Sequence, residues 1–132
     1  MNGVAAQKIR KVYGAAKIYE TYVGAKKFEP DDVVFSKIRL LGNEFGATTG
    51  RARQCNWLDV DNLKKAIDIN GVTDLVISKI DVLRRLGTWK VYEGNKKVSF
   101  LNEESMINFL KDKFRSVKIY ISDSPSNIGT LI

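Results

Sequence analysis

From Asp59 onward the hydrophobic pattern changes period in a way that only an alternation of helices and strands satisfies. Val60, Leu63, Ala66 and Ile67 recur on one helical face, Asp59 or Asp61 can cap its start, and Asn70-Gly71 can close its end. The next segment begins at Leu75-Val76-Ile77 and continues through Ile80, Val82 and Leu83, the near-continuous apolar signature of a strand buried on both faces. Trp89 to Phe100 reads as a hairpin turning at Gly94-Asn95. Asn102 then caps a second helix that turns Met106, Phe109, Leu110 and Phe114 inward, and a strand follows from Val117 to Ser122. This alternation predicts an α/β fold: a layered domain with a mostly parallel sheet and flanking helices. Upstream, residues 9–23 (IRKVYGAAKIYETYV) read as largely extended, with Ala15-Ala16-Lys17 open to a helical alternative. A polar stretch from Lys26 to Asp32 and a short apolar patch come next.

A chain of 132 residues, 44% hydrophobic and 28% charged, is long enough for a core of its own, and one domain over residues 1–132 is expected. No apolar run reaches the roughly 18 residues of a membrane span, and the opening MNGVAAQKIRKVYG lacks the apolar core of a signal peptide. A cytoplasmic location without a membrane partner is therefore expected. One cysteine, Cys55, and no histidine leave no internal disulfide and no zinc or haem cluster, so neither a metal nor another cofactor is expected. The net charge of +7 favours anionic partners without choosing among them. Tyr13, Tyr19, Tyr22, Trp57 and Tyr120 read as packing residues rather than base-stacking ones. No strand face interleaves basic and aromatic residues as single-strand binders do, which makes a nucleic-acid-binding module the less favoured reading.

Two stretches carry chemistry. The loop GNEFGATTGRARQCNWLD, from Gly42 to Asp59, combines glycines with Thr48, Thr49, Arg51 and Arg53. Glycines permit close backbone approach, and hydroxyls and guanidinium forks are the donors suited to a carboxylate or phosphate, so a small anion is the expected ligand. The second stretch, Ser78-Lys79-Ile80-Asp81, falls where a buried strand should leave the sheet, and ligands of open α/β sheets gather at such carboxyl ends. An aspartate there can accept the paired N1–H and 2-amino donors of guanine, with a lysine stem along the ring. Taken alone, Lys79-Ile80-Asp81 is weak evidence, because exposed ion pairs at strand ends are common.

Together, in this order and spacing, GNEFGATTGRARQCNWLD and INGVTDLVISKIDVL resemble the carboxyl-terminal part of the adenylosuccinate synthetase family. The resemblance runs from GVAAQKIRKVYGAAKIYETYVGAKKF near Gly3 to the final ISDSPSNIGTLI, with the segment between Leu83 and Ser122 abbreviated. That family couples GTP to the joining of IMP and aspartate. The resemblance implies that Thr48, Thr49, Arg51 and Arg53 hold aspartate carboxylates, that Lys79 and Asp81 recognise guanine with Ser122 and Pro125, and that Val23 and Gly24 lie beside the IMP ribose. Tyr22, Ala52, Gln54, Asn56, Ser124 and Ser126-Asn127 depart from the family pattern. The family's Gly-rich phosphate loop and catalytic histidine have no counterpart among these residues, so turnover by this chain alone is not expected. The expectation is a non-catalytic binder of guanine-type purine nucleotides. A sequestering protein of the kind a compact viral genome could use, in homo-oligomeric form, is one version of it; half of a split synthetase is the alternative.

Overall fold

The computed structural model describes residues 10–124 and 130–132. Its strands are β1 (Tyr13–Lys17), β2 (Tyr19–Tyr22), β3 (Gln54–Asp59), β4 (Asp74–Ser78), β5 (Trp89–Glu93), β6 (Lys96–Phe100), β7 (Lys118–Ile121) and β8 (Thr130–Leu131). The helices are α1 (Val33–Leu41), α2 (Val60–Asn70), α3 (Ile80–Leu86) and α4 (Glu103–Lys113).

The α/β class is as the sequence predicts, but the strands form two four-stranded sheets, ordered β1-β4-β7-β8 and β2-β3-β5-β6. In the first, β1-β4 and β4-β7 are parallel and β7-β8 antiparallel. In the second, only β3-β5 is parallel, with β2-β3 and β5-β6 antiparallel. A mostly parallel sheet therefore describes the first layer alone. The reason is local: a turn as short as Gly94-Asn95 can join only antiparallel strands.

Ile18 is the point where the chain leaves one sheet for the other. Its N–H donates to Ser78 O at 2.9 Å as a continuation of the β1-β4 ladder, and the next residue, Tyr19, already pairs with Trp57. Ile18 and Tyr19 are both buried in a core shared with Phe35, Ile38, Trp57, Leu75, Ile77, Ile80, Leu83 and Met106. Ala15-Ala16-Lys17 lies in β1, so the helical alternative is not taken.

The apolar run from Leu75 to Leu83, expected as one strand, is divided. Strand β4 ends at Ser78, Lys79 takes a left-handed conformation at φ 69°, and Ile80, Val82 and Leu83 are the buried face of α3. The run's apolar residues come in pieces too short to carry a period that would separate buried strand from buried helix. The apolar patch after Asp32 is helix α1, capped by the Asp32 carboxylate, which accepts from Val34 N at 3.0 Å. Helices α2 and α4 form as read: Asp59 caps the first through Asp61 N and Asn62 N, Gly71 at φ 63° closes it, and Asn102 caps the second through Ser105 N. Among the described residues no helix is long and apolar enough to cross a membrane.

Candidate functional site

The division of the apolar run opens a cleft. As β4 ends at Ser78, Lys79 turns the chain into α3 and puts Asp81 in the first turn of that helix. Facing this junction is the carboxyl end of α1, where Gly42 caps the helix and Asn43 adopts φ 52°. Between them lies a cleft of about 450 Å³ lined by Gly42, Asn43, Ser78, Lys79, Asp81 and Ser122, among others. Lys79 Nζ donates to Gly42 O at 2.9 Å, which ties the two walls and lays the lysine stem along the cleft.

Ser122, next after β7, is buried; its N–H donates to Ile77 O at 2.8 Å and its hydroxyl to Ser124 O at 3.2 Å. The segment after β7 is held from outside by Arg84 of α3, which donates to Glu103 at 2.6 and 2.8 Å and to Asp123 at 3.1 Å. Asp81 differs from these neighbours. Its side chain is half-buried, and among the described residues its carboxylate has no hydrogen-bond or ion-pair partner. A partly desolvated carboxylate left without donors is suited to receive them from a ligand.

The glycine-rich loop folds on itself. Phe45 and Ala52 form an isolated bridge, Gly46 N donates to Arg51 O at 2.7 Å, and Gly50 N donates to Gly46 O at 2.8 Å. Gly50 sits at φ 68°, which glycine adopts without strain. Thr48, Thr49 and Arg51 are exposed at the tip, where Thr49 Oγ1 accepts from Arg51 N at 3.2 Å. Arg53 points the other way, and its guanidinium donates to Glu44 Oε1 at 2.9 Å.

Glu44 is the buried hub beneath the loop. It receives Lys17 Nζ at 3.0 Å, Arg53 at 2.9 Å and the Tyr19 hydroxyl. Burial alone would raise its carboxyl, but the bonds from Tyr19, Lys17 and Arg53 outweigh burial and hold it below the usual carboxylate range. Burial and the Glu44 charge together push the Tyr19 phenol far above its ordinary value. Glu29 is held low as well: burial acts to raise it, and the hydrogen bonds from Arg39 and Cys55 N prevail. Cys55 is fully buried, its thiol pushed up to about 11 chiefly by burial, which leaves it a packing residue.

These depressed carboxyls give a pH dependence. A group whose folded value lies below its unfolded one stabilises the fold above the unfolded value and loses that contribution as pH falls through the folded one. Unfolding midpoints are thus expected to be level near neutrality and to fall as pH drops below about 4.5, the ordinary glutamate value. Thermal melts from pH 7 to pH 3 check this, and a midpoint that rises toward acid would contradict it.

Of the residues named from sequence, Lys79, Asp81 and Ser122 come together in the cleft. Pro125 lies outside the described residues, as do Ser126 and Asn127. Thr48, Thr49, Arg51 and Arg53 do not line the cleft, and neither do Val23 and Gly24, which form the turn after β2. At that turn the Tyr22 ring lies over Gly24 so closely that a Cβ would sit 2.2 Å from the phenol oxygen. Gln54 stitches the same turn: its amide donates to Gly24 O at 3.3 Å and Lys26 O at 2.7 Å and accepts from Phe28 N and Glu29 N. Gly42, Asn43, Glu44 and Lys17, which line the cleft or support it, are residues that the sequence reading did not assign a role, and Gln54 entered it only as a departure from the family pattern. An acidic residue inside an otherwise small and basic loop was the available signal for Glu44.

Comparison with known proteins supplies a family. The family model for adenylosuccinate synthetase matches residues 1–122. The adenylosuccinate synthetase of Bdellovibrio bacteriovorus is 43% identical over 101 residues, 73% of this chain and 23% of that protein. That of Flavobacterium johnsoniae is 47% identical over 91 residues, 67% of this chain and 22% of its own length. The solved structure of fully ligated adenylosuccinate synthetase from Plasmodium falciparum shares the fold at a TM-score of 0.76, with 24% identity, covering 98% of this chain and 41% of that one. The chain thus spans under a quarter of the length of these two curated relatives. With the family model matched across residues 1–122 and two such relatives, the chain belongs to the adenylosuccinate synthetase family.

Proposed function

We propose that this chain binds a guanine-type purine nucleotide in the cleft between β4-α3 and the end of α1, and does not by itself turn it over. The observation that carries the reading is Asp81: a half-buried carboxylate without a partner among the described residues, lining a cleft of about 450 Å³ beside a lysine stem fixed by Gly42. Guanine offers N1–H and the 2-amino group as adjacent donors to one carboxylate. Adenine offers no such edge. Ser122, Gly42 and Asn43 also line the cleft.

Turnover is not part of this reading because the 132 residues include no histidine and no Gly-rich phosphate loop of the family type. Phosphoryl transfer in the family depends on the Gly-rich loop and histidine that position the phosphates and protonate the transferred oxygen, and these 132 residues contain neither. Sequestering of a nucleotide is the version in which the chain acts alone. The limited span of the relatives supports a second reading, in which these residues contribute the base pocket to a synthetase completed by other residues. Self-association belongs to the proposal too, since Val33 and Leu40 are exposed on one face of α1.

Calorimetric titration of the chain with GMP, GTP, IMP and ATP tests the reading. GMP and GTP are expected to bind at least about 10-fold more tightly than ATP, the effect of one charge-assisted bond. IMP, which keeps N1–H and lacks the 2-amino group, is expected to fall between them. Equal affinity across the four would remove the base assignment.

A further inference from the structure

Strand β1 ends its sheet. In the order β1-β4-β7-β8 it pairs with β4 alone, and among the described residues no strand lies along its other side. Val12 O accepts from Thr73 N and Asp74 N at 2.9 and 3.2 Å, and Ile18 N donates to Ser78 O at 2.9 Å, so the even-numbered residues turn their peptide groups toward β4. The peptide groups of Tyr13, Ala15 and Lys17 therefore face outward, and no described residue bonds to them. Open sheet edges are ordinarily blunted by charge, proline, a bulge or a covering element. Strand β6, at one edge of the other sheet, follows that rule with exposed Lys96 and Lys97. Strand β1 does not: it reads Tyr-Gly-Ala-Ala-Lys with Tyr13 and Ala15 exposed, and its one charge, on Lys17, is held by Glu44.

We propose that β1 is the seam of a twofold dimer, pairing antiparallel with β1 of a second copy about Ala15. A twofold seam lays a strand against its own reverse, so the outward pattern must read the same from both ends. Residues 13, 15 and 17 do so, with Ala15 at the axis. In that register Ala15 exchanges both backbone bonds with Ala15 of the partner subunit, and Tyr13 exchanges both with Lys17 of the partner subunit, so every outward N–H and C=O of the three residues is satisfied. Opposed residues share a face, which sets the Tyr13 ring beside the Lys17 stem of the partner subunit and two methyl groups at the axis. An axis at Lys17 would instead oppose two lysines. Charge agrees beyond the strand. Arg10 and Lys11, both exposed, run on toward the carboxyl end of β1 of the partner subunit, where a cleft of about 420 Å³ is lined by Lys17, Glu20 and Thr21, among others. Glu20 is half-buried, accepts from Asp59 N at 2.9 Å and has no ion-pair partner among the described residues, so it is placed to receive those cations. The two four-stranded sheets become one continuous sheet. The seam rests on the self-association named above and gives it a surface other than the exposed face of α1, independent of any nucleotide. Two short strands make a small contact beside the roughly 1,200–2,000 Å² of a stable interface, so a dimer that dissociates on dilution is expected.

The test uses the intact chain and follows mass by sedimentation velocity over a dilution series, with amide hydrogen exchange measured at both ends of the series. Wild type is expected to pass from monomer to dimer as concentration rises. Exchange at Tyr13, Ala15 and Lys17 is expected to slow over the same range, while Gly14 and Ala16, bonded to β4, stay protected throughout. Ala15→Lys and Ala15→Glu each set like charges face to face at the axis and are expected to weaken association by about 10-fold or more, and mixing the two in equal amounts is expected to restore the dimer. Ala15 is exposed, so neither change should disturb the monomer. Leu40→Ser, on the exposed face of α1, is expected to leave the dimer as it is. A wild type that remains monomeric overturns the proposal, as do a dimer whose three outward amides still exchange fast and a mixture of the two charged variants that stays monomeric. A dimer broken by Leu40→Ser and not by Ala15→Lys also overturns it and places the contact on α1. GMP binding is read separately: its failure would strike the nucleotide reading and leave the seam standing.

Discussion

Asp81→Asn is expected to weaken binding of GMP by about 10- to 150-fold, the equivalent of roughly 1.5–3 kcal/mol for a charge-assisted hydrogen bond. The substitution keeps size and shape, so the cleft should persist. It replaces an acceptor pair by one acceptor and one donor, and that donor faces the N–H groups of guanine. The loss is thus twofold, a missing bond and an opposed dipole. Because Asp81 makes no hydrogen bond or ion pair to a described residue, its removal should leave the unfolding midpoint nearly unchanged. That combination separates a ligand group from a structural one. An Asp81→Asn chain that binds GMP as wild type does would show that the carboxylate does not read the base.

Phe35→Ala is expected to destabilise the fold by about 3–5 kcal/mol, the range for truncating a buried aromatic to alanine. Phe35 is 1% exposed, and its ring meets Trp57 of β3 at 5.1 Å between centroids with a 58° tilt. This is a contact between the helix that carries Gly42 and the strand that carries the second sheet. Chemical denaturation measures it: the midpoint should fall while the slope stays constant, as for a change in stability without a change in the surface exposed. A loss below about 1 kcal/mol would mean that α1 is not seated on β3, and the cleft wall would lose its support.

Much of the architecture was legible in the sequence because local chemistry decided it. Asp59 with Gly71, Asn102, and Gly94-Asn95 each fix an end or a turn through groups within a few residues, and each is found as read. What was not legible depends on tertiary context. The apolar residues of the run Leu75 to Leu83 belong to a strand and a helix that are both largely buried, so the backbone reversal at Lys79 is what tells them apart. Helix α1 was within reach, since Asp32 precedes apolar residues at 34, 35, 38 and 41, a cap followed by a helical face. The division into two sheets rests on the crossing at Ile18, which no local pattern marks.

For the site, Lys79, Asp81 and Ser122 line one cleft; the first two stood out by their own chemistry, whereas Ser122 was named only through the family resemblance. The basic loop was harder to read. Arg51 and Arg53 look alike in sequence, but the first is exposed at the loop tip and the second is bound to a buried glutamate. Burial of Glu44 follows from how β1, β2 and the loop pack together, which lies beyond any window of neighbouring residues.

The proposed base pocket is tested most directly by amide chemical shifts of the isotopically labelled chain during titration with GMP. Gly42, Asn43, Ser78, Lys79, Asp81 and Ser122 are expected to shift together along one saturable curve, and the same titration with AMP should leave them nearly still. If GMP reaches saturation with those six amides unmoved, or if AMP moves them equally, guanine is not held between β4-α3 and the end of α1.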